Sequence, residues 1–175
     1  MQHFFYHIKQ NKTLCFALCA LCIAGCSIKY SFTGASIAPA AKTFSVQTFP
    51  NMAPLVVPSL SASFTDALTM KMLSNTRLQQ TNENGDLSFE GEITNYTVTP
   101  QAITANEIAA QNRLTIAVHV KFANAADPTQ DFDKSFSQYE DYPSEQNLSD
   151  VEAELITGIT EKLIEDIFNA AVANW

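Results

Sequence analysis

Four cysteines, Cys15, Cys19, Cys22 and Cys26, form a C-x3-C-x2-C-x3-C array near the start of the chain. Zinc would require thiolates held tetrahedrally by folded loops, and the surroundings of this array are of another kind. Met1 to Lys12 carries Lys9 and Lys12 and no acid, and Thr13 to Gly25 (TLCFALCALCIAG) is apolar or small throughout. A basic start followed by roughly 7–15 apolar residues is a secretory signal, and the run falls short of the about 20 residues a membrane-spanning helix needs. It ends in Ile23-Ala24-Gly25-Cys26, the pattern a lipoprotein signal peptidase recognises. Small residues let the peptidase close on the backbone, and the thiol accepts the diacylglycerol. The expectation is a cleaved signal peptide over residues 1–25, recognised through Ile23, Ala24 and Gly25, with Cys26 as the lipidated first residue of the mature chain. Cys15, Cys19 and Cys22 then leave with the signal, so no metal site is expected and the covalent lipid on Cys26 replaces any cofactor.

The mature chain offers little else for catalysis. Its one thiol is consumed by the lipid, and His119 is its only histidine. Glu90 and Glu92 share a strand face roughly 7 Å apart, within the range of paired glycosidase acids, but that face reads as solvated. No Gly-x-Ser-x-Gly elbow or Gly-rich phosphate loop is present. No catalytic residue and no enzyme are expected.

Around these few groups, residues 26–175 suit one domain with a proper core. All eighteen acids lie in this part beside eight bases, a formal charge of −10. Such a surface excludes nucleic acid and anionic lipid as bulk partners. Residues 26–42 read as the lipidated N-terminus and a tether. Phe44–Phe49 is a short β-rich run. Residues 50–58 (PNMAPLVVP) hold three prolines and no regular element. Their apolar Met52, Leu55, Val56 and Val57 either fold back on the core or meet a partner.

A helix is expected over Pro58–Asn75, with proline at its first position and Leu60, Phe64, Leu68 and Met72 on one stripe. Residues 76–81 read as strand and 82–86 as turn. Leu87, Phe89, Gly91 and Ile93 alternate with polar residues; the phase then slips so that Tyr96 and Val98 carry the apolar side, which places a β-bulge near Thr94–Asn95. Leu114 to Phe122 alternates with Arg113, Thr115, Ala117, His119 and Lys121, so the last five face water. Residues 131–142 supply an edge strand. A closing helix starts near Asp150, with Ser149 and Glu152 as a capping box. The fold class is α+β: two helices on one face of a small mixed, mostly antiparallel sheet.

The stretches GDLSFEGEITNYTVTP (85–100), NRLTIAVHVKF (112–122) and QNLSDVEAELI with DIFNAAVANW at the end resemble the LptE family of lipopolysaccharide-assembly lipoproteins. YSFTGASI and FPNMAPLVVPSLS fit that family's shorter branch. The resemblance runs in order over nearly all of residues 26–175 and makes residues 43–175 an LptE-like domain. It implies an outer-membrane lipoprotein, lipid-anchored and facing the periplasm, that plugs the LptD β-barrel and helps it assemble and insert lipopolysaccharide. The family fold is two helices on a mixed sheet, and its role is binding rather than catalysis. Relatives linked to lipopolysaccharide contact use basic residues, for which Arg113 and Lys121 are the candidates here. Met52, Leu55, Val56 and Val57 are the candidates for contact with the barrel. Two rival readings remain open: an interaction lipoprotein of another envelope machine, such as a cell-wall synthase activator or a lipid-transport accessory, and a periplasmic hydrolase with an unusual site.

Overall fold

The computed structural model describes residues 37–101 and 111–172. The signal peptide, Cys26 and most of the 26–42 tether lie outside the described residues. Within the described part, five strands and two long helices follow the order β1 (Thr43–Val46), α1 (Pro58–Asn75), β2 (Gln79–Gln80), β3 (Leu87–Gln101), β4 (Gln111–Asn124), β5 (Phe132–Pro143) and α2 (Leu148–Val172), with a short 3-10 turn at Pro128–Gln130 before β5. The sheet order is β2-β1-β3-β4-β5. β1 runs parallel to β2 and β3, while β3, β4 and β5 form an antiparallel meander. The expected α+β arrangement is the one observed, mixed sheet included.

The antiparallel part follows from alternation. Leu114, Ile116, Val118, Val120 and Phe122 of β4 are buried, while the intervening residues face the opposite side of the sheet. Both helices pack on the apolar side. Leu60, Phe64, Leu68 and Met72 of α1 and Leu155, Ile159, Leu163 and Ile167 of α2 are buried there. Each is the i, i+4 stripe a core-facing helix requires. The pairing of β3 with β4 shifts register between Ile93 and Asn95, which makes Thr94 the bulged residue at the expected place. The bulge turns Tyr96 into the core, where its hydroxyl donates to Glu152 Oε1 of α2 at 2.6 Å.

Three expectations need correction. Only Gln79–Gln80 of the 76–81 segment is strand, because Thr76 still closes the helix by donating its N–H to the Met72 carbonyl. Val98 is 37% exposed, since beyond Ile93 no described strand flanks β3 on its β1 side. The Ser149/Glu152 capping box does not form. The helix α2 begins two residues before Asp150, at Leu148, and the Glu152 carboxylate is engaged by Tyr96 instead.

The start of β1 is fixed by one carboxylate. Asp86 accepts the N–H of Lys42 (2.8 Å), the N–H of Thr43 (2.9 Å) and the Thr43 hydroxyl (2.9 Å). These donors, the Lys42 N–H foremost, hold its pKa below the ordinary carboxylate value.

Candidate functional site

After Val46 the chain keeps company with β3. Gln47 N–H donates to the Phe89 carbonyl, Ile93 N–H to the Pro50 carbonyl, and Met52 N–H to the Ile93 carbonyl. Phe49 anchors this passage. Its ring is fully buried against Phe64, with centroids 5.1 Å apart. Its backbone is clamped by two α1 hydroxyls one turn apart: Thr65 Oγ1 accepts its N–H at 3.1 Å, and Ser61 Oγ donates to its carbonyl at 2.6 Å. A buried irregular segment must have its polar backbone groups met in some such way.

The loop that follows is held from within. Asn51 Oδ1 accepts the Ala53 N–H at 3.1 Å, its Nδ2 donates to the Val57 carbonyl at 3.4 Å, and Ala53 is buried. Prolines 50, 54 and 58 fix φ at three further points. On this frame Met52, Leu55 and Val56 stand 64%, 54% and 59% exposed, while Val57 packs partly against the core. Phe49, Ala53 and Val57 face inward, as a loop folded back on the core requires, and three large apolar side chains face water. No charged residue occurs from Thr43 to Thr65.

The other large surface is the sheet face opposite the helices, which no described element covers. Its residues meet in cross-strand rows: Glu90, Lys121 and Asp133; Glu92, His119 and Ser135; Asn95, Ala117 and Ser137; Thr97, Thr115 and Tyr139; Thr99, Arg113 and Asp141. Arg113 is engaged within this face. It donates from Nε to Asp141 Oδ1 (2.7 Å) and from a terminal nitrogen to Oδ2 (2.8 Å), and its guanidinium lies 3.6 Å from the centre of the Tyr139 ring. The pairing holds the Asp141 carboxyl below its usual range and pushes the arginine further up. His119 Nε2 lies 2.7 Å from Asp133 Oδ1. Lys121 is exposed, with no carboxylate within 4 Å among the described residues. The two lysine and arginine candidates of the sequence therefore lie on one face but in different states, one occupied and one open. Glu90 and Glu92 lie on that same face, each opposite a cationic or titratable partner rather than at a cleft.

Between the helices runs an open groove of about 470 Å³, with Ala67, Met70 and Lys71 of α1 against Glu161, Ile164 and Glu165 of α2. Lys71 ion-pairs with Glu165 there and holds that carboxyl low, so it is a fixed anion and not a proton donor near neutral pH. No cluster of three or more metal-ligating side chains occurs among the described residues. Nor is any described helix long and apolar enough to cross a membrane.

A family model described as LptE, lipopolysaccharide-assembly, matches residues 41–171. No curated protein matches the sequence. Among solved structures, the hypothetical protein CT253 from Chlamydia trachomatis superposes with a TM-score of 0.52 at 8% identity, covering 77% of this chain and all of that one (100%). That likeness is one of fold. A minor lipoprotein from Acinetobacter baumannii gives a TM-score of 0.49 at 14% identity over 74% of this chain and 91% of its own. Lipoprotein B from Nitrosomonas europaea gives 0.49 at 11% identity over 82% and 88%.

Proposed function

The chain belongs to the LptE family of lipopolysaccharide-assembly proteins, and on that premise we propose that it is an outer-membrane lipoprotein that plugs an LptD-like β-barrel and helps it fold and pass lipopolysaccharide outward. The observation that carries the proposal is the family match, which spans both helices almost completely and every strand of the domain. The anchoring follows from the same reading. Cys26 is the lipidated residue, its acyl chains, at about 0.8 kcal/mol per buried methylene, hold the protein in the outer membrane, and the domain faces the periplasm. The work is binding and not catalysis, so no cofactor beyond the lipid enters.

The apolar loop with Met52, Leu55, Val56 and Val57 is the contact with the barrel. Three exposed apolar side chains on a proline-stiffened frame bury hydrophobic area with little ordering cost. For the phosphates of lipopolysaccharide, Arg113 and Lys121 remain the proposed contacts. Lys121 is the stronger of the two, because Arg113 would first have to leave Asp141.

The test is recovery from the native envelope. The full-length protein is affinity-purified in mild detergent, and co-purifying proteins are identified by mass spectrometry. Stoichiometric recovery of a large LptD-like barrel is expected, and it should fall sharply for a Leu55→Asp/Val56→Asp variant. Recovery of a cell-wall synthase or another envelope complex in its place, or of no barrel, overturns the proposal.

A further inference from the structure

The three methionines after Cys26 sit in three different settings. Met72 belongs to the buried stripe of α1 and has none of its surface exposed (0%), whereas Met70 is 59% and Met52 64% exposed. A two-electron oxidant attacks a thioether only where it can reach the sulfur, so two of the three are open to it. Met70 lines the groove between the helices beside Lys71, Ser74, Asn75, Glu161 and Glu165. An oxygen added to its sulfur would join a surface that is already polar. Met52 stands instead with the exposed Leu55 and Val56, in a stretch that carries no charge from Thr43 to Thr65.

Nor can the backbone carry Met52 away from that surface once its side chain has changed. Its N–H donates to the Ile93 carbonyl at 2.8 Å, and the next residue, Ala53, is buried with its N–H on Asn51 Oδ1. In the reaction the sulfur takes one oxygen atom from hydrogen peroxide or hypochlorous acid. The S–O bond forms, the O–O or O–Cl bond breaks, and the thioether gives up two electrons. Water leaves in the first case, chloride and a proton in the second. The product is a sulfoxide, polar where the thioether was apolar, and a dithiol reductase reverses the step: the oxygen leaves as water and the dithiol becomes a disulfide. Leu55 and Val56 have no comparable chemistry.

We propose that Met52 is a site of reversible oxidation, and that its sulfoxide releases the apolar loop from the partner surface. A sulfoxide oxygen pressed against an apolar partner gives up its water and gains no donor in return. Formed before assembly, the sulfoxide opposes the contact; once the contact is made, the partner covers the sulfur. This rests on the plug reading, and adds the oxidation state in which its loop contact is made.

The experiment has two arms. In the first, the purified full-length protein is treated with dilute hypochlorous acid and mapped by peptide mass spectrometry over time. Met52 and Met70 are expected to gain one oxygen atom at least about tenfold faster than Met72. In the second, cells making the tagged chain receive a pulse of the same oxidant, and chains that bring down the barrel are separated from those that do not. The Met52 sulfoxide is expected to concentrate in the chains without barrel, while the Met70 sulfoxide divides evenly between the two pools. Without oxidant, Met52→Gln, which puts an uncharged acceptor in the same place, is expected to lower barrel recovery at least about tenfold. Met70→Gln should leave recovery unchanged, with both variants melting within about 2 °C of the parent. Should Met52→Gln fail to fold, the division of the sulfoxides still decides the matter. If Met52 is oxidised no faster than Met72, or its sulfoxide divides evenly in a chain that does bring down the barrel, the switch is wrong and the plug reading stands. If the untreated chain brings down no barrel, the plug reading falls and the release falls with it.

Discussion

Gly91 is the position whose substitution most directly tests how the apolar loop is held in place. It lies on the apolar side of β3, opposite Val120. A Cβ added there would meet the His119 backbone carbonyl oxygen at 2.0 Å and the Phe49 ring at 2.7 Å. Two effects of Gly91→Ala oppose each other. Restricting the unfolded chain favours the variant by about 0.4–1 kcal/mol. Overpacking costs about 1–3 kcal/mol where a core must shift, and the upper end applies here because one neighbour is backbone and the other is a ring clamped through Ser61 and Thr65. The net is a loss of about 2 kcal/mol, or a fall in Tm of about 4–8 °C for a domain of this size. Calorimetry on the purified protein reads the shift. Pairing the substitution with Phe49→Leu should return part of the loss, because the ring's share of the clash is removed and the carbonyl's share remains. A Gly91→Ala protein that melts at or above the parent temperature would refute the claim that backbone and ring occupy this space.

Tyr96→Phe removes the hydroxyl that donates to Glu152 and leaves that half-buried carboxylate without its donor, a loss of about 1 kcal/mol read by urea unfolding. Burial first, and the hydrogen bond to Glu152 second, raise the Tyr96 pKa above its ordinary 10. The folded form therefore retains a proton that the unfolded form gives up, and stability falls as pH rises beyond about 10; the Phe variant should show less of that alkaline loss. Asp141 behaves with the opposite sign. Its pKa is depressed by Arg113, so its contribution is present above the ordinary carboxylate pKa and fades as pH falls through the depressed value. Asp141→Asn should flatten acid unfolding slightly, by under about 1 kcal/mol near neutral pH, while exposing Arg113 to anions. Cys26→Ala should leave the precursor uncleaved and without acyl chains, read by the intact mass of the membrane-extracted protein; a processed, acylated product would move the lipid site elsewhere.

What the sequence disclosed about the fold, it disclosed through local periodicity. The alternation from Leu114 to Phe122 specifies β4 because every second side chain must reach the core. Pro58 and the Leu60, Phe64, Leu68, Met72 stripe bound α1 at both ends. Even the Thr94 bulge is written in the chain, since a phase slip within one strand has no other local explanation. What the spacing did not disclose is mostly long-range. Residues 47–52 follow β3 because Phe49 is seized by Ser61, Thr65 and the space over Gly91, and no spacing within that segment announces those partners. Glu152 abandons a local cap for Tyr96, 56 residues away. Arg113 has the look of a free cation on a polar strand, and only the register of β4 with β5 reveals Asp141 beside it.

That difference explains why the candidate site was only half legible. Met52, Leu55 and Val56 could be singled out as apolar residues in a segment unable to form helix or strand, but their exposure depends on Asn51 and Ala53 pinning the loop. The open sheet face left no motif at all, being a product of three strands in one register. The titratable groups point the same way. Asp86, Asp141 and Glu165 are each held low by hydrogen-bond donors that tie one element to another, and Tyr96 is raised where it joins β3 to α2. Perturbed groups at a catalytic centre converge on a cleft; these are dispersed, and each fixes a junction. On the proposed function, substitutions should fall into two classes: Gly91, Asp86 and Tyr96 alter stability, and partner recovery falls only as the fold is lost. Leu55 and Val56 should alter recovery in a protein that still melts normally. A variant in the first class that folded fully yet lost the partner would place the contact at a junction and not on the loop.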